Sequence, residues 1–451
     1  MLQAYVNAFK IPELRKKILF TLGIIVVYRM GTYIPTPGID GHALSQFFRS
    51  MTNTPGGYLF GIMGMFSGGA LQKATIFALG IMPYVSASII MQLLTVVIPQ
   101  LEKLSKEGEE GRRKLIQYTR YMTVCLGLLQ TFFISLWLEN PHAFQGMVIV
   151  PNPGWGFRLM TMLTITTGTA FIMWLGEQID EYGIGNGMSL LITAGIIESI
   201  PTALMQTYVL LSPMDPARQQ LPYWKFVLML FLFIGTVTGV IMIIQGQRKI
   251  PVQYAKQIRG QRVYGGQTTY IPLKVNQAGV IPIIFAQSVI LFPATIAGFF
   301  PKAGGLHRFV SFLTPGRLPY EIAYALAIFF FAFFYTAITF QPVQMAENLQ
   351  KHGGFIPGIR PGKNTAEFLD FVMTRVVFSG AIFLALIALF PSIVSSPKAL
   401  NIPFNIASFF GGTGLLIIVG VILDTMKTIE SQLLMRHYDG FIKKGRLKAR
   451  R

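Results

Sequence analysis

The stretch YLFGIMGMFSGGALQKATIFALGIMPYVSASIIMQLLTVVI, Tyr58 to Ile98, decides the fold. Its first part, Tyr58 to Ala70, is apolar and glycine-rich but holds only thirteen residues. As a helix these reach roughly 20 Å, short of the roughly 30 Å hydrocarbon core of a bilayer. After a polar break at Gln72 and Lys73, Ala74 to Ile98 holds twenty-five residues without a charge. That is roughly 37 Å of helix, enough to cross. A short apolar segment joined to a long one is the pattern of a re-entrant or broken helix. Such backbone is tolerated at membrane depth only where protein or a water-filled cavity shields it. The stretch therefore predicts a sheltered cavity in a membrane protein.

The rest of the composition agrees. The 451 residues are 52% hydrophobic and 13% charged, with mean hydropathy +0.52, as in a polytopic membrane protein. The first long apolar run, Ile18 to Tyr33, is followed by no small-residue cleavage site and reads as a retained helix. Cys125 is the only cysteine and sits in an apolar run, so an intrachain disulfide and a cysteine-based metal site are excluded. The five histidines, His42, His142, His307, His352 and His437, show no pair at metal-ligand spacing. No metal or cofactor is expected.

Windows able to span fall at 18–34, 74–98, 119–138, 157–178, 184–208, 224–245, 277–299, 319–341, 372–394 and 405–427. Ten spans put both termini on one side. The N-terminal segment, the loops after spans two, four, six and eight, and the tail hold 28 of the 38 Lys and Arg residues, counting Arg120, Arg375 and Lys427 at window edges. By the positive-inside rule these face the cytoplasm. Arg29 lies inside the first window, where a snorkelling or interhelically bonded side chain is expected. Spans one to five and six to ten enter from opposite sides, because five is odd. An inverted repeat is thus available, which would place a pathway between the halves 1–210 and 211–427. Residues 428–451 form a basic tail.

Two loops are too long to be mere connectors. Residues 245–274, QGQRKIPVQYAKQIRGQRVYGGQTTYIPLK, carry β-branched and aromatic residues around Arg259-Gly260 and Gly265-Gly266 and read as a protruding basic hairpin. Residues 341–370 carry Gly353-Gly354, Pro357-Gly358 and Pro361-Gly362, successive turns that hold Arg360 at an exposed tip. Both are expected to dock a cytoplasmic partner.

Catalytic chemistry is missing. GIRPGKNT fails as a phosphate loop, because Asn364 follows Gly-Lys where Ser or Thr is needed and Pro357 replaces the first glycine. Gly183, Gly185 and Gly187 follow the acidic EQIDEY and not a strand, and are expected to close a tight turn. Few ionisable residues are candidates for a cavity near the midplane: Glu198 lies toward the outer end of span five and Asp424 near the inner end of span ten. A waist of apolar side chains would exclude water and ions by dewetting, yet yield around a large, variable passenger.

The segments IPTPGID, MFSGGAL, IFALGIMPYVSASIIMQLLTVV, EGRRKLIQYTRY, MWLGEQIDEYGIGNG, IPLKVNQAGVIPIIFAQS, FFYTAITFQP, GGFIPGIRPGKNTAEFLD and GGTGLLIIVGVILDTMK resemble the SecY family, the pore subunits of the bacterial protein-conducting channel. They touch nearly every span. The resemblance implies an all-α membrane protein of ten helices in two pseudo-symmetric, inverted five-helix halves around an hourglass pore. It implies a re-entrant plug at 58–70, including Phe60, Gly61, Met65, Phe66, Gly68 and Gly69. The pore ring would be Ile81, Val85, Ile192, Ile284 and Ile417, with Val85 where isoleucine is often found. Gln92 and Asn276 would sit at a lateral gate between spans two and three and spans seven and eight; as structural residues they would instead hydrogen-bond between helices. Arg360 matches a loop arginine on which the family's activity rests. At the hairpin tip Gln261-Arg262 stands where two arginines are common, with Arg259 nearby.

The implied function is passive transport of unfolded polypeptide across the bacterial cytoplasmic membrane and lateral release of hydrophobic segments into lipid. The implied partners are the SecE and SecG subunits, the SecA motor ATPase, the ribosome, and translocating polypeptides with their signal sequences. No enzymatic activity is expected of the chain itself. A secondary transporter of a small solute would also suit ten spans, an inverted repeat and a broken helix.

Overall fold

The computed structural model describes residues 9–51, 64, 67–144, 146–211, 222–254, 257–259, 262–264, 268–277, 279–299, 317–396, 400, 402 and 404–445. In chain order these form α1 (Pro12–Gly31), α2 (Gly41–Met51), α3 (Met82–Val97), α4 (Pro99–Lys106), α5 (Glu109–Leu138), α6 (Trp155–Tyr182), α7 (Gly187–Leu211) and α8 (Tyr223–Gln245). There follow β1 (Gln247–Tyr254), β2 (Gln257–Arg259), β3 (Arg262–Tyr264), β4 (Thr268–Lys274), α9 (Ile281–Phe299), α10 (Leu318–Thr339), α11 (Pro342–Lys351), β5 (Gly354–Phe355), α12 (Lys363–Ser395), α13 (Phe404–Phe410) and α14 (Thr413–Gly445).

Every apolar window carries a helix. Among the described residues seven helical stretches are long and apolar enough to cross a membrane, and α3 with α4, bent by 101°, makes an eighth if the pair is one span. α1 and α9 occupy the two remaining windows. The chain is thus an all-α polytopic membrane protein. The most apolar part of α8 is only 17% buried, which leaves the side chains of that helix for lipid instead of for the core.

Two windows are not single helices. The tenth breaks at Gly411-Gly412 into α13 and α14. In the second, the continuous helix expected from Ala74 starts only at Met82, and residues 68–81 are turns. The backbone groups a helix would need are used elsewhere. Thr36 N–H donates to the Ala74 carbonyl at 2.9 Å, Ile76 N–H donates to that of Ile34 at 3.0 Å, and Pro35 bridges to Thr75. Ala74 itself has φ 45°, outside the helical region. Pro83 then stands in the first turn of α3, where its missing N–H costs nothing.

The two long loops join. β1 pairs antiparallel with β4 from Gln247–Lys274 to Gln253–Thr268, and β5 of the second loop adds to its other edge, giving the order β4-β1-β5. Ile250 and Val252 alternate inward along β1, as the two-residue period of a strand requires. They pack with Leu273, Ile356, Leu369, Val372 and Met373 in one apolar cluster, so the sheet is seated on the start of α12.

Candidate pore and gate

Three helices line one cavity and carry a buried isoleucine one turn away from it. A cavity of about 280 Å³ beside the sheet is lined by Asn186 and Ser189 at the start of α7, by Asn276, Val280 and Ile281 leading into α9, by Gly420, Asp424 and Lys427 of α14, and by Lys274 at the end of β4. Moving away from the cavity by three residues, about 4.5 Å of helix, reaches Ile192 from Ser189, Ile284 from Ile281 and Ile417 from Gly420. Ile192, Ile284 and Ile417 are 3%, 6% and 0% exposed, and Ile81 and Val85 at the start of α3 are 2% and 8% exposed. All five belong to a single apolar cluster. Within one turn of the cavity the lining thus gives way to buried apolar side chains, among which an ion would lose its hydration without compensation.

On the other side of that waist stands Glu198, six residues beyond Ile192 on α7 and about 9 Å farther along its axis. It pairs with Arg29 of α1 and, at 3.6 Å, with Lys73. Arg29 is thus bonded between helices. Both charges are visible in the sequence as exceptions in apolar runs, but 169 positions separate them, and nothing local pairs them. Of the expected plug residues, Phe60, Gly61, Met65 and Phe66 lie outside the described residues. Gly68 and Gly69 form a turn with φ +60° and +71°, against the Glu198 carboxylate.

The lateral-gate residues are not joined to each other. Gln92 is half-buried and its Nε2 donates to Ser88 Oγ of its own helix at 3.3 Å. Asn276 is buried, and its Nδ2 has no hydrogen-bond partner among the described residues. Among the described residues, neither Gln92 Nε2 nor Asn276 Nδ2 donates to another helix. α9 packs directly on α3 and α5. α9 carries a further buried amide, Gln287, whose Oε1 has no partner among the described residues. Its signal in the sequence was an amide in the apolar run IPIIFAQSVI.

On the sheet side, Arg360 is exposed in the turn between β5 and α12, and Thr365 Oγ1 fixes that turn by donating to its carbonyl at 2.9 Å. Arg259 and Arg262 face each other across the β2–β3 pair; their side chains, and Gly260-Gln261 between them, lie outside the described residues. The GIGNG turn closes as expected, with Gly187 N–H donating to Asp180 Oδ1 at 2.7 Å. A Cβ at Gly187 would lie 2.0 Å from the Gly176 carbonyl oxygen. Among the described residues no group of three His, Cys, Asp or Glu could hold a metal ion.

The family model described as SecY matches residues 75–426. The chain belongs to the SecY family. Relatives include the protein translocase subunit SecY of Streptomyces scabiei, 49% identical over 98% of this chain and all of its own length. That of Escherichia coli K12 is 46% identical over 97% of this chain and 95% of its own. That of Thermotoga maritima is 42% identical over the full length of both. Among solved structures, a protein conducting channel matches with TM-score 0.63 and 17% identity over 94% of this chain and 96% of its own. A SecY structure whose plug domain is described as stabilising the closed state and maintaining a membrane seal matches with TM-score 0.62 and 19% identity over the same shares. At these identities the likeness is one of fold.

Proposed function

We propose that this SecY-family chain is the pore subunit of a protein-conducting channel, moving unfolded polypeptide across the bacterial cytoplasmic membrane and releasing hydrophobic segments sideways into lipid. The observation that carries the reading is that α7, α9 and α14 share one cavity of mixed polar and apolar lining and each carries a buried isoleucine one turn farther on, in a single apolar cluster. Non-directional apolar contacts re-form around a chain of any sequence, and they dewet when it leaves. A small-solute transporter would instead need polar groups converging at the midplane.

In this reading Ile81, Val85, Ile192, Ile284 and Ile417 are the pore ring, and residues 58–70 are the plug. Halves 1–210 and 211–427 part along the contact of α9 with α3 and α5, where Gln92 and Asn276 lie. The basic loops, the tail 428–451 and both termini face the cytoplasm. The chain hydrolyses nothing, and energy comes from a partner. SecE and SecG are the companion subunits, and the joined sheet with Arg259, Arg262 and Arg360 receives SecA or the ribosome. The fold likeness to canine Sec61 in a ribosome-channel complex, TM-score 0.58, and to yeast Ssh1 bound to the 80S ribosome, TM-score 0.53, supports the ribosome as a partner. Arg360→Glu tests the docking surface. In reconstituted vesicles it abolishes motor-driven translocation while the protein still inserts normally, and unchanged translocation refutes the assignment.

A further inference from the structure

Beyond the apolar ring, one carboxylate serves two cations from different parts of the chain. Glu198 of α7 accepts from Arg29 of α1 and lies 3.6 Å from Lys73, just after the plug segment. The side chains are 18%, 26% and 44% exposed. Lys73 also sits 4.2 Å from the centre of the Tyr33 ring, a cation–π contact that holds its ammonium toward the same corner. The end of the plug segment rests on this group. A Cβ on Gly68 would come within 3.1 Å of Glu198 Oε2 and 3.2 Å of Gly195 Cα, and one on Gly69 within 3.6 Å of Glu198 Oε1.

We propose that Glu198 is a positioning residue for the plug: its carboxylate, held by Arg29 and Lys73, is the seat against which the Gly68-Gly69 turn closes the channel. This rests on the channel reading above. Residues 74–76 are pinned to Ile34–Thr36 by backbone hydrogen bonds, which anchor the chain just after the plug segment. Upstream of that pin, Ser67 is 2% exposed, and its Oγ bonds only within the segment, to Gly64 and Leu71. The contact with Gly195 and Glu198 of α7 adds a charged seat to the apolar burial of Ala70 and Leu71 that follows this turn. Removing the carboxylate charge leaves Arg29 and Lys73 as neighbouring cations without a counter-charge, and their repulsion acts where the plug closes.

The test uses the full chain in its native membrane complex, with Cys125→Ala and a single reporter thiol at Ser67→Cys. Two quantities are read: labelling of that thiol by a membrane-impermeant maleimide without substrate, and resting ion conductance in a planar bilayer. Glu198→Gln raises both on the order of tenfold, within the range of ordinary coupling energies. Glu198→Asp keeps both near the parent value. Adding Arg29→Gln to Glu198→Gln lowers both again, because one of the two stranded charges is gone; a role in packing alone would show no such rescue. The proposal is overturned if Glu198→Gln leaves labelling unchanged, or if Arg29→Gln fails to reverse its effect. Labelling needs no transported substrate, so it reports on the seat separately from the channel reading, which fails if the parent complex moves no polypeptide.

Discussion

Truncating the waist one side chain at a time separates a seal from ordinary packing. Ile417 is fully buried, and Ile417→Ala removes three carbons from a dry cluster. At about 0.8 kcal/mol per buried methylene this is about 2.4 kcal/mol of transfer free energy, and the void left behind brings such changes into a range of about 2–5 kcal/mol. Val85 is 8% exposed and loses two carbons as Val85→Ala, or about 1.6 kcal/mol on the same scale. Ile417→Val loses one carbon and costs roughly 0.5–1.5 kcal/mol. If the cluster were only packing, these figures would appear in thermal stability and nowhere else. In a seal, the void left by Ile417→Ala adjoins the polar cavity three residues away at Gly420, and water enters it once polar partners are within reach. Resting conductance should then follow the carbons lost: largest for Ile417→Ala, smaller for Val85→Ala, near the parent for Ile417→Val. The measurements are single-complex conductance at fixed voltage and thermal unfolding in detergent on the same preparations. A fall in unfolding temperature with conductance unchanged in all three variants refutes the seal.

The buried Nδ2 of Asn276 has no partner, so Asn276→Leu removes an unpaid desolvation cost of roughly 1–3 kcal/mol. It should raise the unfolding temperature and slow lateral release of weakly hydrophobic segments; a lowered unfolding temperature refutes the assignment. At Gly168 an added Cβ would lie 2.0 Å from the Ile76 carbonyl oxygen, so Gly168→Ala must push α6 from the 74–81 turns. Overpacking of this kind costs about 1–3 kcal/mol. Thermal unfolding reads the loss, and an unchanged midpoint shows that the two segments do not touch so closely in solution.

The spans were legible because crossing a membrane imposes a length and an apolar composition that any window of sequence displays, and each window carries a helix. The proposed ring was not legible from periodicity. Ile81, Val85, Ile192, Ile284 and Ile417 look like their neighbours in apolar runs, and only family resemblance singled them out before the structure brought them into one cluster. The hairpin was visible in its glycine pairs, but the two-residue strand Gly354–Phe355, which ties the second loop to β1, is too short to carry a pattern. The tightly closing GIGNG turn was readable because its glycines answer a local steric demand.

The stretch from Tyr58 to Ile98 could not be read alone for a related reason. Segment 29–36 reaches it at every level: Arg29 through the shared Glu198 carboxylate, Tyr33 as the ring beside Lys73, and Ile34 and Thr36 as backbone partners of Ile76 and Ala74. Length arithmetic counted the residues after Ala74 as helix because it sees composition only. Those hydrogen bonds go instead to a segment some forty positions earlier, which stops α3 short at Met82 and sets Ile81 and Val85 at the helix start, where α3 meets the waist. The deviation from a simple span is therefore what puts Ile81 and Val85 at the start of α3, within the same apolar cluster as Ile192, Ile284 and Ile417.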